Sequence, residues 1–211
     1  MNETKKSGNI VIRYLLQSAA MMMIGAGISL CDHAGLGTDP FSVFMKGTSI
    51  VFGISLSLSN AIWCSTQVII ALLLDRRHVS LGTVLSVSTS SLGISLMDSV
   101  LSVPSSLGLR IVFMFGGIAV YAFGVGFSQY PEVGYSTYDC FIFSIGKLLH
   151  RDEYVVLRWI ADGGNLIVGW LLGGTVGIAT ILLLLCVGKI AQAVLHMFQS
   201  KFGSYAPASV A

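Results

Sequence analysis

Arg158 and Asp162 are the residues of this chain whose types and spacing most directly ask for a chemical explanation. They lie four apart inside an apolar stretch, so a helix sets both on one face, where guanidinium and carboxylate can pair. An aspartate at the centre of a membrane helix costs about 2.5 to 3.5 kcal/mol on insertion scales, so its presence needs a return. Two returns are open: a neutralised pair that fixes helix register, or a pair that binds a ligand or a proton. Asp39 and Asp139 pose the same question elsewhere, because each sits where a hydrophobic run breaks at glycines.

The first break, Gly35 to Gly53, reads GLGTDPFSVFMKGTSIVFG. It is too polar to face lipid and too short between its glycines to cross a bilayer, which takes about 20 apolar residues. Irregular backbone survives at membrane depth only where protein or a water-filled cavity covers it, so such a break is a candidate binding site. Asp39 followed by Pro40 reads as a helix start, with aspartate as cap and proline in the first turn, and a short helix follows from Phe41 to Phe52. A second break, Glu132 to Cys140, repeats the order of glycine then aspartate, with Tyr138 beside Asp139 and a short apolar segment from Phe141 to Leu149. As re-entrant helices, these segments would point their amino ends, near Asp39 and Asp139, into the bundle, where free N–H groups and the helix dipole favour an anion. Lying flat at the two interfaces is the alternative. Lys46, on the first short helix, either draws an anionic group or snorkels to the surface.

The candidate ligand-binding residues are therefore Asp39, Pro40, Lys46, Tyr138, Asp139, Arg158 and Asp162, with Gly35, Gly37, Gly134, Gly173, Gly174 and Gly177 as turn formers. Asn60, Gln67 and Asn165 are expected to hydrogen-bond between helices. The serines between Ser80 and Ser102 either line a polar path or permit tight packing, and Asp98 falls near the outer end of its span.

These residues need a membrane scaffold to hold them. The chain is 54% hydrophobic and 10% charged, with mean hydropathy +0.81, against roughly 25% charged for a soluble domain. That composition makes a polytopic membrane protein, and a net charge of +2, thinly scattered, excludes a nucleic-acid surface. The expected fold is an all-α transmembrane bundle of six spans, running about 13 to 30, 56 to 74, 79 to 100, 111 to 127, 154 to 172 and 178 to 197. Residues 1–12 and 199–211 are expected as cytoplasmic tails. The first thirty residues carry an apolar run too long for a cleaved signal and without a small-x-small site, so they read as an uncleaved span. With both ends inside, Lys5, Lys6, Arg13, Arg76, Arg77, Lys147, Arg151, Arg158 and Lys201 fall on or near the cytoplasmic side, leaving Lys46 and Arg110 outside. Counting the short helices as full crossings would destroy that bias.

A constant shift of 97 residues carries Gly37 onto Gly134, Arg13 onto Arg110, Gly27 onto Gly124, Phe44 onto Phe141 and Thr83 onto Thr180. The aligned breaks matter more than the identities. Two units are expected, 13–103 and 104–198, each with three spans and one short non-spanning helix. Three is odd, so the second unit must sit inverted relative to the first, as in many secondary transporters.

Cys31, Cys64, Cys140 and Cys186 form no metal or redox spacing and read as small packing residues. There is no nucleophile with a histidine partner, no H-E-x-x-H and no phosphate loop, so neither an enzyme nor a resident metal or cofactor is expected.

GLGTDPFSV (Gly35 to Val43), the run from Gly134 to Asp139, the Arg158 and Asp162 pair, and WLLGGTVGI (Trp170 to Ile178) with Thr180 together resemble the YczE/YyaS/YitT family of small bacterial integral membrane proteins. The resemblance covers nearly the whole chain. It departs where many relatives carry Pro-Trp-Asp and this chain has Pro40-Phe41-Ser42. It implies a transporter-like protein of the bacterial inner membrane and supplies no substrate. The residues leave several classes open: a small secondary transporter or permease for an unspecified small molecule, a non-transporting sensor or assembly partner of another membrane protein, a substrate-capturing subunit of an uptake complex, and a homo-oligomeric channel. Against the uptake subunit, the first span lacks an Ala-x-x-x-Ala docking face.

Overall fold

A computed structural model describes residues 8–75, 79–150 and 154–205. The basic residues Lys5, Lys6, Arg76, Arg77 and Arg151, which weigh in the orientation argument, lie outside the described residues. Within them the chain forms α1 (Ile10–Ala34), α2 (Pro40–Phe52), α3 (Leu56–Leu74), α4 (Leu81–Val100), α5 (Leu107–Gln129), α6 (Thr137–Leu149), α7 (Tyr154–Leu171) and α8 (Ile178–Phe202).

The helix starts follow from local side chains. Asn9, Asp39, Ser55, Ser80, Ser106 and Ser136 each accept a bond from an N–H of the first turn, serving donors that have no partner inside the helix. At the other end, α1 and α2 stop at Gly35 and Gly53 in the left-handed conformation. The long helix α8 runs past the expected end of its span to Phe202, and Tyr205 beyond it is held, its ring 5.1 Å from Tyr130 with the Arg13 guanidinium 5.0 Å above it.

Four helices, α1, α3, α5 and α8, are long and apolar enough to cross a membrane. The two further spans expected from the sequence correspond to α4 and α7, and both are more polar. Serines and threonines run through α4, and α7 carries Arg158, Asp162 and Asn165.

At the centre, α1 packs on α5 through glycines. A side chain at Gly27 would stand 2.7 Å from the Tyr121 backbone, and one at Gly124 would stand 3.0 Å from the backbone of Ile24. Those contacts are one contact seen twice, since the 97-residue shift carries Ile24 onto Tyr121 and Gly27 onto Gly124. The contact is thus reciprocal under the shift. Later residues of α1 meet earlier residues of α5, as Gly117 against Cys31 also shows, so the two corresponding helices run antiparallel.

The flanking helices follow the same rule. α4 packs on α1 as α8 packs on α5, α3 on α6 as α7 on α2, and α2 on α3 as α6 on α7. The turns repeat it in detail: Gly37 lies against Gly177 and Thr180, and its counterpart Gly134 lies against Ser80 and Thr83. α4 is the closest neighbour of α1 apart from α5, and Gly25 and Gly93 let the two backbones meet at Ile94 and Met22. Its buried residues Gly82, Thr83, Ser86, Ser90 and Gly93 permit the close approach that membrane helices use in place of a hydrophobic driving force.

Candidate functional site

Two short helices bring their amino ends to the same place. In α2, Pro40 occupies the first position and Asp39 caps it, with Oδ2 accepting from the Ser42 N–H at 3.2 Å and Oδ1 from the Ser42 hydroxyl at 2.5 Å. In α6 the cap is Ser136, whose oxygen accepts from the Asp139 N–H at 3.2 Å and whose hydroxyl donates to Asp139 Oδ2 at 2.8 Å. The cap of α6 is thus Ser136 and not Asp139. The repeat explains it: Asp39 corresponds to Ser136 and Ser42 to Asp139, so the aspartate and the serine have exchanged places within the same bonded pair. Each positive helix end already holds a carboxylate of its own.

Between the two ends, Phe41 and Tyr138 stack with ring centroids 5.3 Å apart. Phe41 continues to Phe44, which meets Trp63 of α3 edge-on at 4.8 Å, and the Trp63 indole N–H donates to the Thr48 hydroxyl at 3.1 Å. On its other side Tyr138 reaches α7. Its hydroxyl donates to Asp162 Oδ1 at 2.6 Å and accepts from Asn165 Nδ2 at 3.1 Å. Arg158 Nη1 donates to Asp139 Oδ1 at 3.3 Å, its Nε stands 3.7 Å from Asp162 Oδ2, and its guanidinium carbon lies 5.6 Å from the centre of the Tyr138 ring. Asp39 lies within electrostatic range of both Arg158 and Asp162. The result is a continuous network of carboxylates, one guanidinium, a phenol and an aromatic stack.

Of the residues expected to bind a ligand, Tyr138, Asp139, Arg158 and Asp162 are in direct contact, and Asp39 and Pro40 join them through Phe41. Lys46 does not. Its ammonium lies 2.7 Å from Asp32 Oδ2, tying α2 to the last turn of α1. Asn165 acts between helices as expected, and Asn60 does so too, its amide donating to Ser90 and Ser91 at 3.0 and 2.9 Å. Gln67 Oε1, by contrast, is buried without a partner. Phe41 carried no signal of its own; the 97-residue shift applied to Phe41 lands on Tyr138 and would have found it.

A separate polar group joins α1 to α4, where Asp98 accepts from the Ser29 hydroxyl and lies 3.8 Å from His33 Nδ1. The four cysteines are free, with Cys31, Cys64 and Cys140 buried, as packing residues would be. Among the described residues no three histidine, cysteine or acidic side chains are placed to hold a metal ion.

Residues 11–196 match the model of DUF6198, a family of unknown function. The chain belongs to that family. Within reach of DUF6198 sequence similarity are an uncharacterized protein of Haemophilus influenzae, 27% identical over 84% of this chain and 81% of its own length, and two proteins of Bacillus subtilis. One is the uncharacterized protein YyaS, 24% identical over 89% of this chain and 92% of the relative. The other is the uncharacterized membrane protein YczE, 23% identical over 87% and 85%. Kinship with YczE and YyaS is what the glycine breaks and the WLLGGTVGI turn imply, and the apolar helices fit a membrane protein of this family. No solved structure matches the chain.

Proposed function

We propose that this protein is a small secondary transporter whose substrate site is the network around Phe41, Tyr138, Arg158 and Asp162. The observation that carries the reading is the meeting of two short helices, amino end to amino end, through the stacked rings of Phe41 and Tyr138. In inverted-repeat transporters, substrate and ion sites form where broken helices from the two repeats meet at mid-membrane. On this reading six helices span, α4 and α7 among them. α2 and α6 then enter as half-helices from opposite faces, and both chain ends lie in the cytoplasm. Buried Val43 and Met45 of α2, and Cys140, Ile142 and Ser144 of α6, support re-entry over flat surface helices.

The resident charges favour a proton or a positively charged group over the anion that bare helix ends would attract. Asp39 and Asp139 already occupy the two helix ends, and an incoming anion would also meet Asp162. The Tyr138 ring already hosts one cation, that of Arg158. On this reading the protein moves its ligand chemically unchanged.

The test is a thermal-shift screen of the purified protein against organic cations, anions and neutral metabolites, repeated with Asp162→Asn. Stabilisation by a cation that disappears in Asp162→Asn, with the unliganded variant still folded, is the expected result. A co-purifying membrane protein with no ligand response would instead favour the non-transporting partner.

A further inference from the structure

The correspondence between the packing of the two halves fails most plainly at one helix pair, and the failure is directional. α3 packs on α4, but the corresponding α7 and α8 are not packed together in the same way. Residue by residue the contrast is clear. Asn60 of α3 donates to Ser90 and Ser91 of α4 at 3.0 and 2.9 Å. The shift of 97 carries Asn60 to Leu157 and Ser91 to Gly188. Gly188 has open space around the position of a Cβ, as do Gly163 and Gly164 of α7. Buried Gln67 on α3 corresponds to exposed Gly164 on α7. Leu157 turns towards Ile142 and Ile145 of α6. Next to it, Arg158 of the central network keeps 40% of its side chain exposed.

Nothing in the local sequence forbids closure of α7 on α8. Gly163, Gly164 and Gly188 are the small residues that let membrane helices approach. A molecule whose halves are related by a two-fold axis, with one helix pair closed and its mate open, has a second arrangement of comparable contacts in which the roles are exchanged.

We infer that the structure is one end state of such an exchange, with Asn60 and Ser91 as the latch on one side of the site and the gap between Leu157 and Gly188 as the open side. This rests on the transporter reading for its orientation. Asn60 lies early in α3, which on that reading starts outside, and Leu157 lies early in α7, which starts in the cytoplasm. The described state is therefore closed to the exterior and open to the cytoplasm at Arg158. In the exchanged state α7 closes on α8 at Leu157 and Gly188, and Asn60 leaves Ser90 and Ser91.

Paired cysteines in a cysteine-free version of the full chain, oxidised in membranes, test this. Asn60→Cys with Ser91→Cys is expected to cross-link in the described state, and Leu157→Cys with Gly188→Cys only in the exchanged one. When all four substitutions are combined, each molecule is expected to carry one cross-link and not both. Absence of the Leu157–Gly188 link, or both links in one molecule, overturns the exchange. Asn60→Leu in the otherwise natural chain gives a second measurement that does not depend on the cysteine-free background. Cys64, one turn along α3 and bonded through its thiol to Asn60 Oδ1 at 3.4 Å, is buried. Its labelling by an impermeant maleimide from outside should rise several-fold in Asn60→Leu, and unchanged labelling overturns the latch. The two readings separate cleanly. Exclusive cross-links without any ligand response leave the exchange standing and remove the transport reading. Uptake that persists with Asn60 and Ser91 locked together does the reverse.

Discussion

Phe41 and Tyr138 stand 97 residues apart in the sequence and stack face to face with centroids 5.3 Å apart, each at the same place in its own half of the molecule. The two members of this pair differ by a single hydroxyl group. That hydroxyl binds Asp162 and Asn165, whose counterparts under the 97-residue shift are Ser65 and Val68. The pair thus carries an asymmetric load, a hydroxyl and its Asp162 and Asn165 partners on the Tyr138 side alone.

Tyr138→Phe removes that load while keeping the stack. Asp162 loses a donor at 2.6 Å, and a hydrogen bond to a charged group is worth about 1.5 to 3 kcal/mol. Chemical or thermal unfolding in detergent should show a loss towards the lower part of that range, because membrane-protein hydrogen bonds average less. Phe41→Tyr, by contrast, adds a hydroxyl where Ser65 stands in the place of Asp162, so no carboxylate receives it, and ligand-induced stabilisation should fall less than in Tyr138→Phe. Loss of ligand response in Phe41→Tyr but not in Tyr138→Phe would move the site away from α7.

Arg158→Gln leaves Asp139 and Asp162 facing each other across Tyr138 without the guanidinium that stands between them. The variant should lose about 1 kcal/mol, since the guanidinium serves two carboxylates but is 40% exposed, so water screens it. Arg158→Gln combined with Asp162→Asn should recover part of that loss, with a coupling of about 0.5 kcal/mol or more in a double-mutant cycle. Additive losses would mean that the two side chains act independently, leaving the i,i+4 spacing without consequence.

The sequence made the frame legible because its signals are local or periodic. Asp39 with Pro40 announces a helix start, and glycine at 37 and 134 announces matching turns. The pairing across α6 and α7 was half visible: the four-residue spacing gives Arg158 beside Asp162, but Tyr138 as their link needs the fold. Aspartate and serine are interchangeable as caps, and only the backbone shows which of Ser136 and Asp139 precedes the helix. Lys46 was misplaced for a different reason. Its partner Asp32 lies across the break, and an ion pair between two element ends has no period to betray it. The failure of packing between α7 and α8 leaves no trace in composition, because glycines that permit closure look the same open or closed.

Gly37 and Gly134 should be the least replaceable glycines in the chain. Gly37 holds φ at +103°, and an added Cβ would stand 2.5 Å from the Thr180 hydroxyl and 2.6 Å from the Gly177 nitrogen. Alanine there combines backbone strain with a clash against backbone, and about 3 kcal/mol of lost stability is expected, at the upper end of ordinary single substitutions. Gly134, at φ +147° against Ser80 and Thr83, should behave alike. Gly108, in the first turn of α5 with nothing within 4 Å, is the control: Gly108→Ala should be neutral or slightly stabilising in the same thermal assay.

Lys46 and Asp32 give the complementary prediction, a charged pair whose loss matters little. Their atoms are 2.7 Å apart, but the lysine side chain is 31% exposed, and ion pairs in contact with water contribute only about 0 to 1 kcal/mol. Lys46→Met should therefore lower stability by less than about 1 kcal/mol. Because the pair is separate from the network at Tyr138, the same variant should retain its ligand-induced thermal shift. Raising ionic strength should shrink the stability difference between Lys46→Met and the natural protein, since salt screens charges in contact with water. A Lys46→Met variant that folds normally and no longer responds to ligand would put the lysine back in the site and require Asp32 to release it.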